Sequence, residues 1–320
     1  MGGSTKQALL QALSAAEGAY ISGQQLAEAL GVSRAAVHKA AQALLAQGYA
    51  LDSAPRRGYR LAGGDPFCAE AVGLYPAPIH IYDTLQSSNL TAKQLALGGA
   101  PHGTLVLTAH QKAGRGRLGR RFESPAGKGV YLSLILRPAL SAADAQSVTI
   151  SAAVAVARAV KALCGLELGI KWVNDLYYQG RKVCGILTEA GTDMECGQLE
   201  WLVVGIGLNL TTSAADWPEE LARTAGSLYP GGPAPVSRAV LAGAIARELL
   251  SLCPAFDCLD EYRARCFVPG HWVTVCTGAD TYAAKALSID DAGRLVVERE
   301  GGRQVSLQHG EVSIRPTRTG

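Results

Sequence analysis

Apolar residues recur at spacings of three and four along the first fifty residues and then at every second residue, so helices come first and a hairpin follows. In residues 5–16, Leu9, Leu10 and Leu13 form one stripe of a helix. Ser22-Gly23-Gln24-Gln25 offers a hydroxyl to cap and an amide to return the bond, which starts a second helix running through Leu26 to Leu30 until Gly31 breaks it. Ser33 caps a third, reaching about Gln47, with Ala36, Val37, Ala40, Ala41, Leu44 and Leu45 facing inward. Helix, glycine turn, helix is the helix-turn-helix pattern. Short alternating runs at Tyr49 to Asp52 and Tyr59 to Leu61 enclose Ala54-Pro55-Arg56-Arg57-Gly58, a basic wing. Gly63-Gly64-Asp65-Pro66 then breaks all periodicity and reads as a linker.

Beyond it strands and helices alternate. Strands are expected at Ile79 to Tyr82, Thr104 to Thr108, Val130 to Leu136, Leu168 to Trp172, Lys182 to Glu189 and Leu199 to Leu208. One helix follows Ser87-Ser88-Asn89, a long alanine-rich one runs from Ala142 to Leu163, and Tyr178-Gln179-Gly180-Arg181 reads as a hairpin turn. Strands outnumber helices, so the sheet is expected to be mixed and the class α+β (mixed α/β). Helices at Val236 to Leu252 and Phe256 to Cys266 precede Pro269-Gly270. There the texture changes to short alternating strands at His271 to Val275, Tyr282 to Ile289, Leu295 to Glu298 and Gln304 to Leu307, the pattern of a small SH3-like β-barrel. Domains are therefore expected at 1–63, 64–268 and 269–320.

Composition agrees with this division. A chain of 320 residues, 48% apolar and 18% charged, can bury several cores. It lacks a long uninterrupted apolar run and a basic-then-apolar leader, so no membrane role and a cytoplasmic location are expected. Eight scattered cysteines, without C-x-x-C pairs, predict free thiols and no metal site of Cys or His. The net charge of +3 is matched by residues 1–63 alone, with six lysines and arginines against three carboxylates. That makes Ser33, Arg34, Ala35, His38, Lys39 and Gln42 on the third helix, with Arg56 and Arg57 on the wing, the candidate DNA contacts.

Three stretches carry unusual chemistry. Gln111-Lys112-Ala113-Gly114-Arg115-Gly116-Arg117-Leu118-Gly119-Arg120-Arg121 alternates glycine with arginine, which suits an anion held close to the backbone. It matches a dinucleotide fingerprint literally, but no helix follows to supply the N-terminus that motif needs, so it reads as a loop between strands. Lys171-Trp172-Val173-Asn174-Asp175 sets a cation, an amide and a carboxylate at a strand end, and Lys182 to Leu187 follows one hairpin later. Val203-Val204-Gly205-Ile206-Gly207-Leu208-Asn209 aligns two glycines and an asparagine on one strand face, leaving space for a flat group.

These motifs, in this order and spacing, resemble those of the biotin-protein ligases, and with the winged helix in front the chain resembles the bifunctional class that is also the biotin operon repressor. The resemblance implies a class II synthetase-like catalytic domain and a biotin-[acetyl-CoA-carboxylase] ligase. Such an enzyme makes biotinyl-5′-AMP from biotin and MgATP, then transfers biotin to a lysine of a biotin carboxyl carrier protein. It implies Ser87, Ser88 and Gln111 on the ureido ring, with Gly114, Gly185, Leu187 and Gly205 shaping the slot. Arg115, Arg117 and Lys182 would surround the carboxylate and α-phosphate, Asp175 would act as base or position magnesium, and Phe122, Lys171, Asn174, Asn209 and Arg315 would face the nucleotide, with Glu311 nearby. A ligand-promoted homodimer on operator DNA would repress transcription.

Phe122 stands where the family usually has tryptophan, and Val173 where it often has proline. Alternatives at this point are a ligase whose N-terminal domain binds no regulatory DNA, a lipoate-type ligase, and a DNA-binding sensor without transferase activity.

Overall fold

The computed structural model describes residues 5–16, 18–141, 145–192, 198–253, 255–278, 280–308 and 310–314. The chain divides into two compact units, one within residues 1–74 plus 236–240 and the other comprising the rest.

The first unit holds α1 (Thr5–Ala15), α2 (Gly23–Leu30), α3 (Arg34–Ala46), β1 (Tyr49–Ala54), β2 (Gly58–Gly64) and the single turn α4 (Ala69–Val72). Ser22 and Gln25 form the reciprocal capping box, and Ser33 Oγ accepts from Ala36 N at 3.1 Å. Leu9, Leu13, Leu26, Val37 and Leu44 make a core sealed from solvent. Leu45, expected inside, is 42% exposed. It lies roughly 80° round the helix from the Val37–Leu44 line at 3.6 residues per turn, beyond the packed stripe. The wing is longer than its sequence suggests: Gly63 and Gly64 pair with Ala50 and Tyr49 instead of starting a linker. Asp65 and Phe67 then bond back to the carbonyls of Gly48 and Gln47.

The second unit is built on a seven-stranded mixed sheet in the order β3-β4-β5-β9-β8-β7-β6. Its strands are β3 (Ile79–Tyr82), β4 (Leu105–Thr108), β5 (Gly129–Leu136), β6 (Gly169–Lys171), β7 (Asp175–Tyr178), β8 (Arg181–Thr192) and β9 (Leu199–Asn209). Only β3 and β4 run parallel; every other neighbour is antiparallel. α5 (Ser88–Leu97) packs Ala92 and Ala96 onto Val106, Ile135, Trp201 and Val203. α6 (Ala145–Cys164) covers β8, β7 and β9. This helix has the length and hydropathy of a membrane span, yet most of it is buried in the core. Residues 142–144, where its start was expected, lie outside the described residues.

The remaining helices are α7 (Glu219–Ala222), α8 (Arg238–Leu252) and α9 (Leu259–Arg265). On α9 the buried Tyr262 hydroxyl donates to Val173 O at 3.1 Å and so ties the helix to the loop before β7. The C-terminal sheet is antiparallel, in the order β13-β12-β11-β10-β14, with β10 (Trp272–Cys276), β11 (Thr281–Ile289), β12 (Leu295–Arg299), β13 (Gln304–Leu307) and β14 (Glu311–Ile314). The fifth strand, β14, was not foreseen; Val312 is its one buried side chain, so its apolar signal is weak. The seven cysteines among the described residues are free thiols, and Cys196 lies outside them.

Candidate active site

The site is a cross-strand construction. Register places Tyr131, Gly207, Gly185, Asp175 and Lys171 in one row across β5, β9, β8, β7 and β6, and Ser133, Gly205 and Leu187 in the next but one. Residues two apart share a sheet face, so this face has two glycine gaps flanked by charges on one side and hydroxyls on the other. A cavity of about 360 Å³ opens over it, within the size of sites for small molecules (~300–1,000 Å³).

The glycines make room for neighbouring protein groups as much as for a ligand. A side chain at Gly205 would strike the Asn89 amide, and one at Gly207 would strike the Phe122 ring. Phe122 therefore lies on the paired glycines Gly207 and Gly185, edge-on to Tyr131 with centroids 6.5 Å apart. Gly114, expected to shape the slot, is not among the cavity-lining residues; it leaves room for the Phe122 carbonyl and Ser124 Oγ, so it shapes the loop instead. Leu187 and Gly185 do line the cavity.

One end is neutral and buried. Ser87 and Ser88 begin α5 beside Gln111, all nearly sealed from water. Gln111 Oε1 accepts from Ser88 N at 2.9 Å and Gln111 Nε2 donates to Ser124 Oγ at 2.8 Å. The other end is charged. Lys182 Nζ stands 2.7 Å from Asp175 Oδ1. Asn174 donates to Ile186 O and accepts from Arg117 Nη1 at 2.8 Å, so it orients that guanidinium. Lys171 lines the same end, and burial pushes its ammonium pKa below the ordinary lysine value.

Between these ends runs the glycine-arginine loop, which folds back on itself. Gln111 bridges to Ser124 and Arg115 to Arg121, and a 3₁₀ turn at Arg117–Gly119 puts Leu118 in the left-handed region at φ 55°. Arg117 also reaches Gly310 O at 3.3 Å, and Arg120 pairs with Glu311 at 2.5 Å, so both arginines tie the loop to the turn before β14 and its first residue. Arg115 lines the cavity. At the far corner Asn209 donates to Gly226 O at 3.0 Å, while its buried Oδ1 has no partner among the described residues. A buried acceptor without a donor is costly and marks a place where a ligand N–H can bind. Arg315 lies outside the described residues.

Sequence reasoning missed Asn89, Ser124, Ser133 and Glu189, which complete the polar end. For Ser133 the signal was the one small polar side chain in the otherwise apolar and aromatic run Val130 to Leu136.

In the first unit Arg34, Ala35, His38, Lys39 and Gln42 are exposed along α3, as are Arg56 and Arg57 at the wing tip. Ser33 is exposed as well, with its hydroxyl engaged as the helix cap. Tyr59 on β2 lies 3.1 Å from His38 Nδ1, and Arg57 stacks on Tyr20 with its guanidinium 4.1 Å from the ring centre. Helix and wing of this unit thus present one linked polar surface.

Residues 5–60 match an HTH domain family, 82–209 the biotin/lipoate A/B protein ligase family, and 270–315 the biotin protein ligase C-terminal domain. The bifunctional ligase/repressor BirA of Bacillus spizizenii is 34% identical over 313 residues, spanning 92% of this chain and 94% of that protein. BirA of Escherichia coli is 27% identical, spanning 92% and 95%. In fold the chain is similar to the biotin protein ligase from Aquifex aeolicus solved with biotin and ATP, with a TM-score of 0.60 and 24% identity, covering 74% of this chain and 98% of that one. This chain belongs to the biotin protein ligase family, in its bifunctional ligase/repressor class.

Proposed function

We propose that this protein is an ATP-dependent biotin-[acetyl-CoA-carboxylase] ligase. It activates biotin to biotinyl-5′-AMP, transfers biotin to a lysine of a biotin carboxyl carrier protein, and represses biotin genes through its N-terminal winged helix. The carrying observation is one cavity with a neutral, hydrogen-bonding end at Ser87, Ser88 and Gln111 and a cationic end at Lys182 and Arg117. A ureido ring fits the first end and a carboxylate meeting a phosphate the second. A linear lipoyl chain brings no ring N–H or C=O to the first end and so gains none of the hydrogen bonds a ureido ring can make there.

Both reacting partners in the first step are anions, so catalysis requires charge compensation more than proton transfer. Arg115, Arg117 and Lys182 supply it, Arg117 held by Asn174 and Lys182 by Asp175. Phe122 offers a ring face to the nucleotide base and Lys171 faces the nucleotide; Arg315, outside the described residues, is assigned to the nucleotide on the family resemblance alone. Magnesium typically uses one or two protein carboxylates plus substrate phosphates, and the cavity-lining carboxylate Asp175, beside Lys182, fits that donor set. When bound, the metal neutralises phosphate charge.

Incubating the protein with biotin, ATP and a carrier domain, and reading biotin on the carrier lysine by mass spectrometry, tests the ligase; an unmodified carrier removes it. Asn209 with its free Oδ1 is assigned to the adenine amino group. Asn209→Leu is expected to raise KM for ATP about tenfold, the worth of one hydrogen bond left unmade, with KM for biotin unchanged. Steady-state kinetics with each substrate varied in turn checks this.

The divisions expected at 1–63, 64–268 and 269–320 are kept in outline, with the first boundary moved past the wing because Gly63 and Gly64 pair within it and the first unit runs on to residue 74; the work is placed in the cytoplasm. Repression is assigned to a ligand-promoted homodimer, the adenylate settling the glycine-arginine loop and with it a pairing surface. Equal association constants by ultracentrifugation with and without biotin and ATP would remove that step. On operator DNA, Arg34→Ala and Lys39→Ala are each expected to weaken binding and, if they meet phosphates, to lower the slope of log affinity against log salt by about 1. Gel shifts across a salt series measure it; no shift by the wild type at low salt removes the repressor role.

A further inference from the structure

The polar end of the cavity contains a chain of hydrogen bonds with a fixed direction. Asn89, at the start of α5, is 4% exposed. Its Nδ2 donates to Leu187 O at 3.2 Å and to Glu189 Oε2 at 3.0 Å. Those two partners only accept, so the amide cannot be turned over, and Oδ1 faces Ser133. Ser133 is fully buried, 2.6 Å from Asn89 Oδ1 and 2.8 Å from Ser88 Oγ. A hydroxyl has one proton, and Asn89 Oδ1 has none to give, so the Ser133 proton goes to Asn89. Ser88 Oγ then receives nothing from Ser133. Its own proton is drawn inward, either to Ser133 Oγ or to Gln111 Oε1 at 3.2 Å. Either way Ser88 turns only lone pairs toward the cavity. Gly205 is what admits the Asn89 amide to this position, since any side chain there would displace it.

We propose that Asn89, acting through Ser133, is a positioning residue that makes Ser88 an obligate acceptor, so that the site selects a ligand presenting a ring N–H at that point. On the biotin ligase reading, on which this inference rests, that donor is a ureido N–H. Removing the Asn89 acceptor frees the Ser133 proton to point at Ser88. Ser88 is then partly occupied as an acceptor, and its own proton can turn into the cavity against the ligand N–H.

Titration calorimetry of the full chain tests this with biotin and with a cyclic carbamate analogue in which ring oxygen replaces the N–H facing Ser88. Asn89→Ala is expected to weaken biotin about tenfold while improving the carbamate relative to biotin. Adding Ser133→Ala to Asn89→Ala removes the misdirected proton and should recover at least threefold of the biotin affinity, whereas a merely structural role makes the double variant weaker still. Ser133→Ala alone removes the relay but supplies no misdirected proton, so it should weaken biotin about threefold while improving the carbamate relative to biotin, which keeps the test readable should Asn89→Ala fail to fold. A double variant as weak as Asn89→Ala, equal losses for both ligands, or a tenfold loss in Ser133→Ala overturns the proposal. A wild type that binds no biotin overturns the ligase reading with it; a wild type that binds biotin without these couplings overturns this inference alone.

Discussion

Lys182→Ala is expected to lower biotinyl-adenylate formation by about 10³-fold, the upper range for removing one preorganised group at a site of developing charge. The position is fixed from three sides. Its backbone exchanges bonds with Thr224 O at 3.0 Å and Gly226 N at 2.8 Å, its ammonium pairs with Asp175, and the absent side chain at Gly185 lets the stem lie flat across β8. Arg117 cannot slide into its place, because it is already spread between Asn174 and Gly310. Biotin-dependent exchange of labelled pyrophosphate into ATP measures the step without the carrier protein. Lys182→Arg restores charge but demands a longer, forked head beside Asp175, so only partial recovery is expected. Retention of more than a tenth of wild-type exchange by Lys182→Ala would show that Lys182 is not the main cation of the first step.

That expectation rests on positions legible in the sequence, and the contrast with the missed ones has a physical basis. Capping residues and glycine breaks act locally, which is why Ser22, Gln25, Gly31 and Ser33 placed α2 and α3 correctly. Glycines at alternate positions showed that one face of β9 was empty, but not what filled it. The fillers, Asn89 and Phe122, come from α5 and from the glycine-arginine loop, and no periodicity connects residues so far apart in sequence. Ser133 looked like part of a core strand because all six of its neighbours in Val130 to Leu136 are apolar or aromatic. β7 was hidden for the opposite reason: Asp175, Leu176, Tyr177 and Tyr178 give four residues with one buried side chain, too short for alternation to register. The folded state of the glycine-arginine loop also escaped detection, since glycine and arginine carry no apolar signal and the ties of Arg117 and Arg120 reach residues almost two hundred positions away.

Asp175→Asn is expected to separate the two half-reactions. The carrier lysine, with an ordinary pKa near 10.4, arrives protonated and must lose that proton before attacking the adenylate. Asp175 is a cavity-lining carboxylate paired with Lys182, at the first residue of β7 opposite Gly185, and that bond holds it beside the place assigned to the meeting of carboxylate and phosphate. If it takes the lysine proton, the amide variant should transfer biotin from purified biotinyl-5′-AMP about 10²–10⁴-fold more slowly, the usual worth of a positioned general base. Adenylate formation should fall far less, by about tenfold at most, from loosened orientation of Lys182. The defect in transfer should also shrink as pH rises, because the free-amine fraction of the acceptor lysine grows tenfold per pH unit below its pKa and substitutes for the missing base. Single-turnover transfer between pH 7 and 10 reads this directly. Equal losses in both steps, with no recovery at high pH, would instead make Asp175 a holder of Lys182 or of magnesium, and the lysine proton would have to leave to solvent.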